Sequence, residues 1–78
     1  MHRFRIDAIL DPQSLLRVTG YFAQRSIVPS EMKMHVLPDH MRIEVTVRDL
    51  DPRQAATIAA RLGEVVAVTG SELEELAA

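Results

Sequence analysis

Residues 3–10, RFRIDAIL, alternate in polarity. Phe4, Ile6, Ala8 and Leu10 point one way, Arg3, Arg5 and Asp7 the other, which is the period of a half-buried strand. From residue 12 the period lengthens. Leu15, Val18, Thr19 and Phe22 recur at helical spacing with Leu16 and Ala23 beside them, so a helix is expected to about Arg25. Gly20 in its middle weakens such a helix by about 1 kcal/mol relative to alanine, which points to close packing against a neighbour. Two further alternating runs follow. Over 28–36, Val28, Ser30, Met32, Met34 and Val36 form the inward set and Glu31, Lys33 and His35 the outward one. From residue 41 the inward set is Met41, Ile43, Val45 and Val47, and the outward set Arg42, Glu44, Thr46 and Arg48. The turn sequence LPDH between these runs makes them a hairpin. Pairing Val36 with Met41 sets Met34 opposite Ile43, Met32 opposite Val45 and Lys33 opposite Glu44, and a one-residue slip would expose every apolar residue. A second helix is expected over 52–62, with Ala55, Ile58, Ala59 and Leu62 inward and Gly63 as its stop. The apolar run EVVAVT (64–69) then predicts a last strand. Ser71 and Glu74 form a capping-box pattern that predicts a short acidic helix over 71–78.

One tripeptide occurs twice. Leu10-Asp11-Pro12 and Leu50-Asp51-Pro52 each follow a strand and precede a helix. Aspartate suits the cap position, where its carboxylate accepts an unpaired backbone N–H, and proline suits the first helical position, where an N–H is not needed. The repeat divides the chain into two β-α-β halves. Interleaved halves of this kind give an α+β, ferredoxin-like β-α-β-β-α-β domain. Its sheet is four-stranded and antiparallel, in the order 4-1-3-2, with both helices on one face. A single domain spanning 1–78 with its core in 3–70 is expected.

The composition of the 78 residues, 47% hydrophobic and 26% charged, is that of an ordinary globular chain, and a domain of this size gains stability from a partner. A formal net charge of −2, with both signs interspersed, supplies no broad positive field for nucleic acid. Cysteine is absent, which excludes disulfides, thiolate metal sites and a cysteine nucleophile. Neither a leader-like segment nor a membrane-length apolar run is found, so a cytoplasmic protein without membrane contact is expected.

Candidate chemistry is sparse. His2, His35 and His40 fall at a terminus, an outward strand position and a turn, and read as surface histidines rather than metal ligands. Asp11 and Asp51 are accounted for as caps. The serines have no base placed near them, and three glycines form no phosphate-binding loop. No catalytic residue, metal or cofactor is therefore expected. The outward sheet positions carry charges of both signs where an RNA-binding sheet of this topology would carry aromatics. The strand at 28–36 is an edge in the predicted order, and its Pro29 lies at the start, leaving the rest free to pair. A homodimer is expected through Ser30, Met32, Lys33, Met34, His35 and Val36, forming one continuous sheet.

The stretch DPQSLLRVTGYFAQRSIVPSEMKM in this setting resembles the ACT domain family, across residues 3–70. In that family the first strand ends in a motif close to Asp-x-Pro-Gly-x-Leu, and the following helix ends in Phe-x-x-x-Gly-Ile-Asn. More narrowly, Asp11, Pro12, Leu15, Arg17 and Val18, then Met32 and Met34, resemble the small regulatory subunits of acetolactate synthase that consist of a single such domain. The resemblance implies allosteric regulation without catalysis, in branched-chain amino-acid biosynthesis. It implies a large catalytic synthase subunit as partner, with flavin and thiamine diphosphate held by that partner. It also implies an amino-acid effector bound between two chains, with Asp11, Pro12, Gln13, Ser14 and Leu15 on one wall and Ile27, Val28 and Pro29 on the other. The N-terminus of the first helix would receive the effector's carboxylate. Gln13 stands where the family has glycine and Val28 where it has asparagine. A dimerisation module without a small-molecule effector is the alternative.

Overall fold

Asp11 and Asp51 turn the chain from strand to helix in the same way. In each, Oδ1 accepts the backbone N–H two residues on, from Gln13 and from Arg53, at 2.8 Å. Pro12 and Pro52 then open helices α1 (Pro12–Gln24) and α2 (Pro52–Leu62). The computed structural model describes residues 1–76. Its strands are β1 (His2–Ala8), β2 (Glu31–Val36), β3 (Met41–Val47) and β4 (Val68–Glu75), in the antiparallel order β2-β3-β1-β4. This is the expected ferredoxin-like sheet, read from its other edge. The hairpin register is the expected one, with Met34 opposite Ile43, Lys33 opposite Glu44 and Val36 opposite Met41.

The core forms between the helices and the two central strands. Phe4 and Ile6 of β1 and Ile43, Val45 and Val47 of β3 pack with Val18, Tyr21 and Phe22 of α1 and Ala55, Ile58 and Leu62 of α2. Phe22 meets the Phe4 ring edge-on at 5.6 Å and Tyr21 at 5.7 Å, a favoured aromatic geometry. The inner stripe of α1 is rotated from the expected one. Ser14 and Tyr21 are buried, Leu15 and Thr19 are half-buried, and Leu16 is exposed. Leu10 lies beyond β1 and is exposed as well. His2 continues the inner face of β1 and is buried, not superficial as its terminal position suggested.

Two sequence expectations fail at the C-terminus. The last strand is Val68–Glu75, not 64–69, and the acidic helix expected over 71–78 is not formed: residues 71–75 lie in β4, and residues 77–78 fall outside the described residues. Pairing with β1 decides the outcome. The ladder from His2↔Glu75 to Ala8↔Val68 fills the side of β1 away from β3, and Arg3 and Arg5 reach Glu74 at 3.2 Å and Glu72 at 4.0 Å. A capping-box pattern is a local preference, and tertiary pairing outweighs it. The segment 64–67 forms tight turns instead, with Glu64 N–H donating to Arg61 and Val65 N–H to Leu62. Val65 still packs against the core, which is why the run reads as strand-like.

Gly20 also departs from expectation. A Cβ built there meets nothing within 4 Å, so no neighbour demands glycine. Gly20→Ala is expected to raise the stability of the folded chain by about 1 kcal/mol, read as a higher urea midpoint at unchanged slope. A lower midpoint would show a contact at this position that the folded chain does not display.

Candidate functional site

The β1–α1 turn is built from its own polar groups. The first backbone donors of α1 are already engaged: Gln13 N–H by the Asp11 carboxylate, and Ser14 N–H by the Asp11 carbonyl at 3.0 Å. Pro12 has no N–H. The Ser14 hydroxyl is fully buried and donates to the Ile9 carbonyl at 2.8 Å, which fixes the turn. The expectation that this helix end offers free donors to an effector carboxylate is corrected: the carboxylate already there is the chain's own. Of the predicted wall, Asp11 and Ser14 shape the turn, Leu15 packs against the core, and Pro12 and Gln13 are exposed.

The second predicted wall lies elsewhere. Helix α1 closes with Ser26 in the left-handed region (φ 58°), where Ser26 N–H reaches Ala23 and Ile27 N–H reaches Phe22. Counting from Phe22, Ser26 occupies the glycine position of Phe-x-x-x-Gly-Ile-Asn. Ile27 then packs inward, Val28 is 86% exposed and Pro29 is half-buried. These three residues, with Phe22, Ala23 and Met32, line an apolar groove of about 380 Å³ between α1 and β2. The β1–α1 turn does not border it. In one chain the two predicted walls stand at opposite ends of the fold, because α1 carries the chain from one end of β1 to the other.

Strand β2 begins at Glu31 rather than 28, and its expected inner face is not core. Met32, Met34 and Val36 point to the helix side but are 37%, 44% and 64% exposed. On its flank towards β2, α1 lines the groove with Thr19, Phe22 and Ala23, and these three strand residues stay partly uncovered. With Ser30, Lys33 and His35, these are the residues expected at a dimer interface, and all six lie exposed along this edge.

The open face of the sheet is laced with opposite charges. Arg42 Nε donates to Asp7 at 3.1 Å, Arg5 approaches Glu44 at 3.5 Å, and His35 approaches the same glutamate at 3.4 Å. His40 also turns to this face, 3.4 Å from Asp7, so His35 and His40 lie on the same side of the hairpin. The other ring nitrogen of His40 lies 2.7 Å from Asp39, and that hydrogen bond, reinforced by the imidazole charge, holds the Asp39 carboxyl below its ordinary range. Among the described residues, no three His, Asp or Glu side chains gather as metal ligands would, and no helix is long and apolar enough to cross a membrane.

A model of the ACT-like domain family matches residues 1–78. The chain belongs to the ACT-like domain family. The solved structure of the ACT domain from GTP pyrophosphokinase of Chlorobium tepidum superposes with a TM-score of 0.82 at 12% identity, covering 97% of this chain and 86% of that one. The regulatory subunit of aspartate kinase from Thermus thermophilus, in ligand-free form, gives 0.68 at 18% identity over 95% of this chain and 50% of that one. The C-terminal domain of the MgtC protein from Mycobacterium tuberculosis gives 0.65 at 10% identity, over 94% and 83%. No curated protein sequence matches the chain. At these identities the likeness to solved structures is one of fold. The family match supports a regulatory role at the level of the ACT-like domain, and the polar groups of its β1–α1 turn are engaged within the turn itself.

The cap and the charge at Asp11 are separable. Asparagine caps a helix as well as aspartate, so Asp11→Asn is expected to leave the urea midpoint nearly unchanged, whereas Asp11→Ala lowers stability by about 1 kcal/mol. Equal losses in both variants would show that the charge, not the hydrogen bond, holds the turn.

Proposed function

We propose that this ACT-like domain is a regulatory module that works as a pair, joined edge to edge through β2. The uncovered apolar face of Met32, Met34 and Val36 carries this reading, because a domain of 78 residues has little core to spare and gains most from covering such a face. The two sheet edges differ in a way that favours β2. Strand β4 bears Glu72, Glu74 and Glu75, of which the first two are offset by Arg5 and Arg3 of β1, so its margin is acidic without a cation of its own, while β2 bears Glu31, Lys33 and His35 with no dominant sign.

The register of such a pair is constrained. A two-fold axis across antiparallel edges must keep inner residues opposite inner residues. Centring it on Lys33 sets two like charges against each other. Centring it on Met34 sets Met34 against its own copy, Met32 against Val36, and Lys33 against His35, and is the favoured arrangement.

The same pairing bears on effector binding. β2 runs parallel to β1, since each is antiparallel to β3. A partner's β2 running the other way would bring its residues 27–29 to the end where Asp11–Leu15 lie. The two predicted walls would then meet between chains, with the Asp11 carboxylate facing the position of an effector's carboxylate. Pairing is thus favoured over amino-acid binding, which fits the alternative of a dimerisation module without an effector. The partner indicated by Asp11, Pro12, Leu15, Arg17 and Val18 is the large catalytic subunit of acetolactate synthase.

Light scattering after size exclusion is expected to give the dimer mass at micromolar concentration. Met34→Lys is expected to give a monomer whose folding stability changes by no more than about 0.5 kcal/mol, because Met34 is already exposed in the single chain. A monomer mass for the native chain overturns the pairing. Calorimetry with leucine, isoleucine and valine is expected to show little heat for the native dimer and more for Asp11→Asn. Tight binding by the native chain would overturn the assigned role of Asp11. Failure to co-purify with or activate a large synthase subunit would remove that partner and leave the dimer standing.

A further inference from the structure

A second groove, of about 580 Å³, runs between the C-terminal end of α1 and the length of α2. Its floor is apolar, from Tyr21, Ile27 and Ile58, and its rim carries Arg25, Arg53 and Arg61. No carboxylate lines it. The contrast with the open sheet face is sharp: there Arg3, Arg5, Lys33 and Arg42 each have a carboxylate within ion-pairing distance, whereas no ion pair is formed by the three rim arginines among the described residues. Neither helix contains an acidic residue, and the two cap aspartates accept hydrogen bonds from backbone N–H groups. Five arginines form no ion pair among the described residues, and three of them, Arg25, Arg53 and Arg61, meet at this apolar-floored groove, while Arg17 and Arg48 lie apart from it.

Two details separate this groove from an ordinary solvated helix surface. Arg25 is held in place, its guanidinium 3.6 Å from the Tyr21 ring centroid and its Nη1 donating to the Tyr21 carbonyl at 3.0 Å. An ordered guanidinium loses less freedom when it takes a ligand. Arg53 occupies the second position of α2, where the helix dipole disfavours a cation, so its charge works against folding. Arg53, Thr57 and Arg61 follow at four-residue spacing on one flank, which sets the outer arginines about 12 Å apart along the axis.

We propose that this groove binds a small organic phosphate: an oxyanion gripped by the arginine forks, joined to an apolar body lying on Tyr21, Ile27 and Ile58. Arginine suits the oxyanion because its planar fork bonds two oxygens at once. The apolar floor selects the attached body. The site contains no residue of β2 and shares only Ile27 with the groove beside that strand.

The test uses calorimetry on the full chain at low salt with phenyl phosphate, set against inorganic phosphate and phenol, which carry its two halves. Phenyl phosphate is expected to bind with a Kd of about 1 mM or below, inorganic phosphate about tenfold more weakly, and phenol without measurable heat. Arg53→Glu and Arg61→Glu are each expected to weaken phenyl phosphate at least about tenfold, the loss of one charge-assisted contact. Arg17→Glu, elsewhere on α1, leaves it unchanged. Arg53→Glu is also expected to hold or raise Tm, since it replaces a disfavoured charge with a favoured one, so lost binding cannot be ascribed to lost folding. Absence of heat from phenyl phosphate at 10-fold the expected Kd, equal affinity for phenyl and inorganic phosphate, or undiminished binding by both rim variants would each overturn the proposal.

Discussion

The helix layer is centred on β1 and β3, and the side of β2 that it leaves bare governs much of the rest. The large inner residues, Phe4, Ile6, Ile43 and Val45, lie on the two central strands and draw Phe22 and Leu62 onto them. Helix α1 then lines the groove beside β2 with Thr19, Phe22 and Ala23, and Met32 and Met34 are left 37% and 44% exposed. The uncovered methionines are apolar enough to reward a cover and flexible enough to accept one of imperfect shape. A core residue with a fixed rotamer would suit that position less well.

The same economy is visible at the helix starts. Asp11 and Asp51 complete their turns from within the chain, which secures the fold and closes a common route to anion binding. Backbone donors that hold a carboxylate of their own cannot easily hold another. Positive charge instead gathers where the helices run side by side, at Arg25, Arg53 and Arg61. The molecule thus separates its tasks by region: paired charges on the open face, apolar surface at one edge, unpaired arginines on the helix layer.

Much of this was legible in the sequence because it was encoded locally. The Leu-Asp-Pro repeat marked both helix starts, and strict alternation around LPDH fixed the hairpin register to the residue. What escaped was set by competition between distant segments. Residues 71–75 satisfy a helix cap on paper, but β1 offered them a complete ladder and the charges of Arg3 and Arg5. Periodicity showed which side of β2 faces the helices, yet not whether a helix would reach it. The engagement of the α1 donors was also hidden, although the same Asp-Pro pair that announced the helix was its cause. The arginine groove is spread over residues 21–61, and only the folded chain assembles it.

The unequal rims of the sheet have a consequence for how far assembly can go. One side ends in a near-neutral strand with uncovered methionines, the other in a row of glutamates. A sheet with two receptive margins can add copies without end, as fibrils do. In the proposed pair the acidic margin would leave a valency of one, so growth would terminate after a single addition and yield a closed particle rather than a filament.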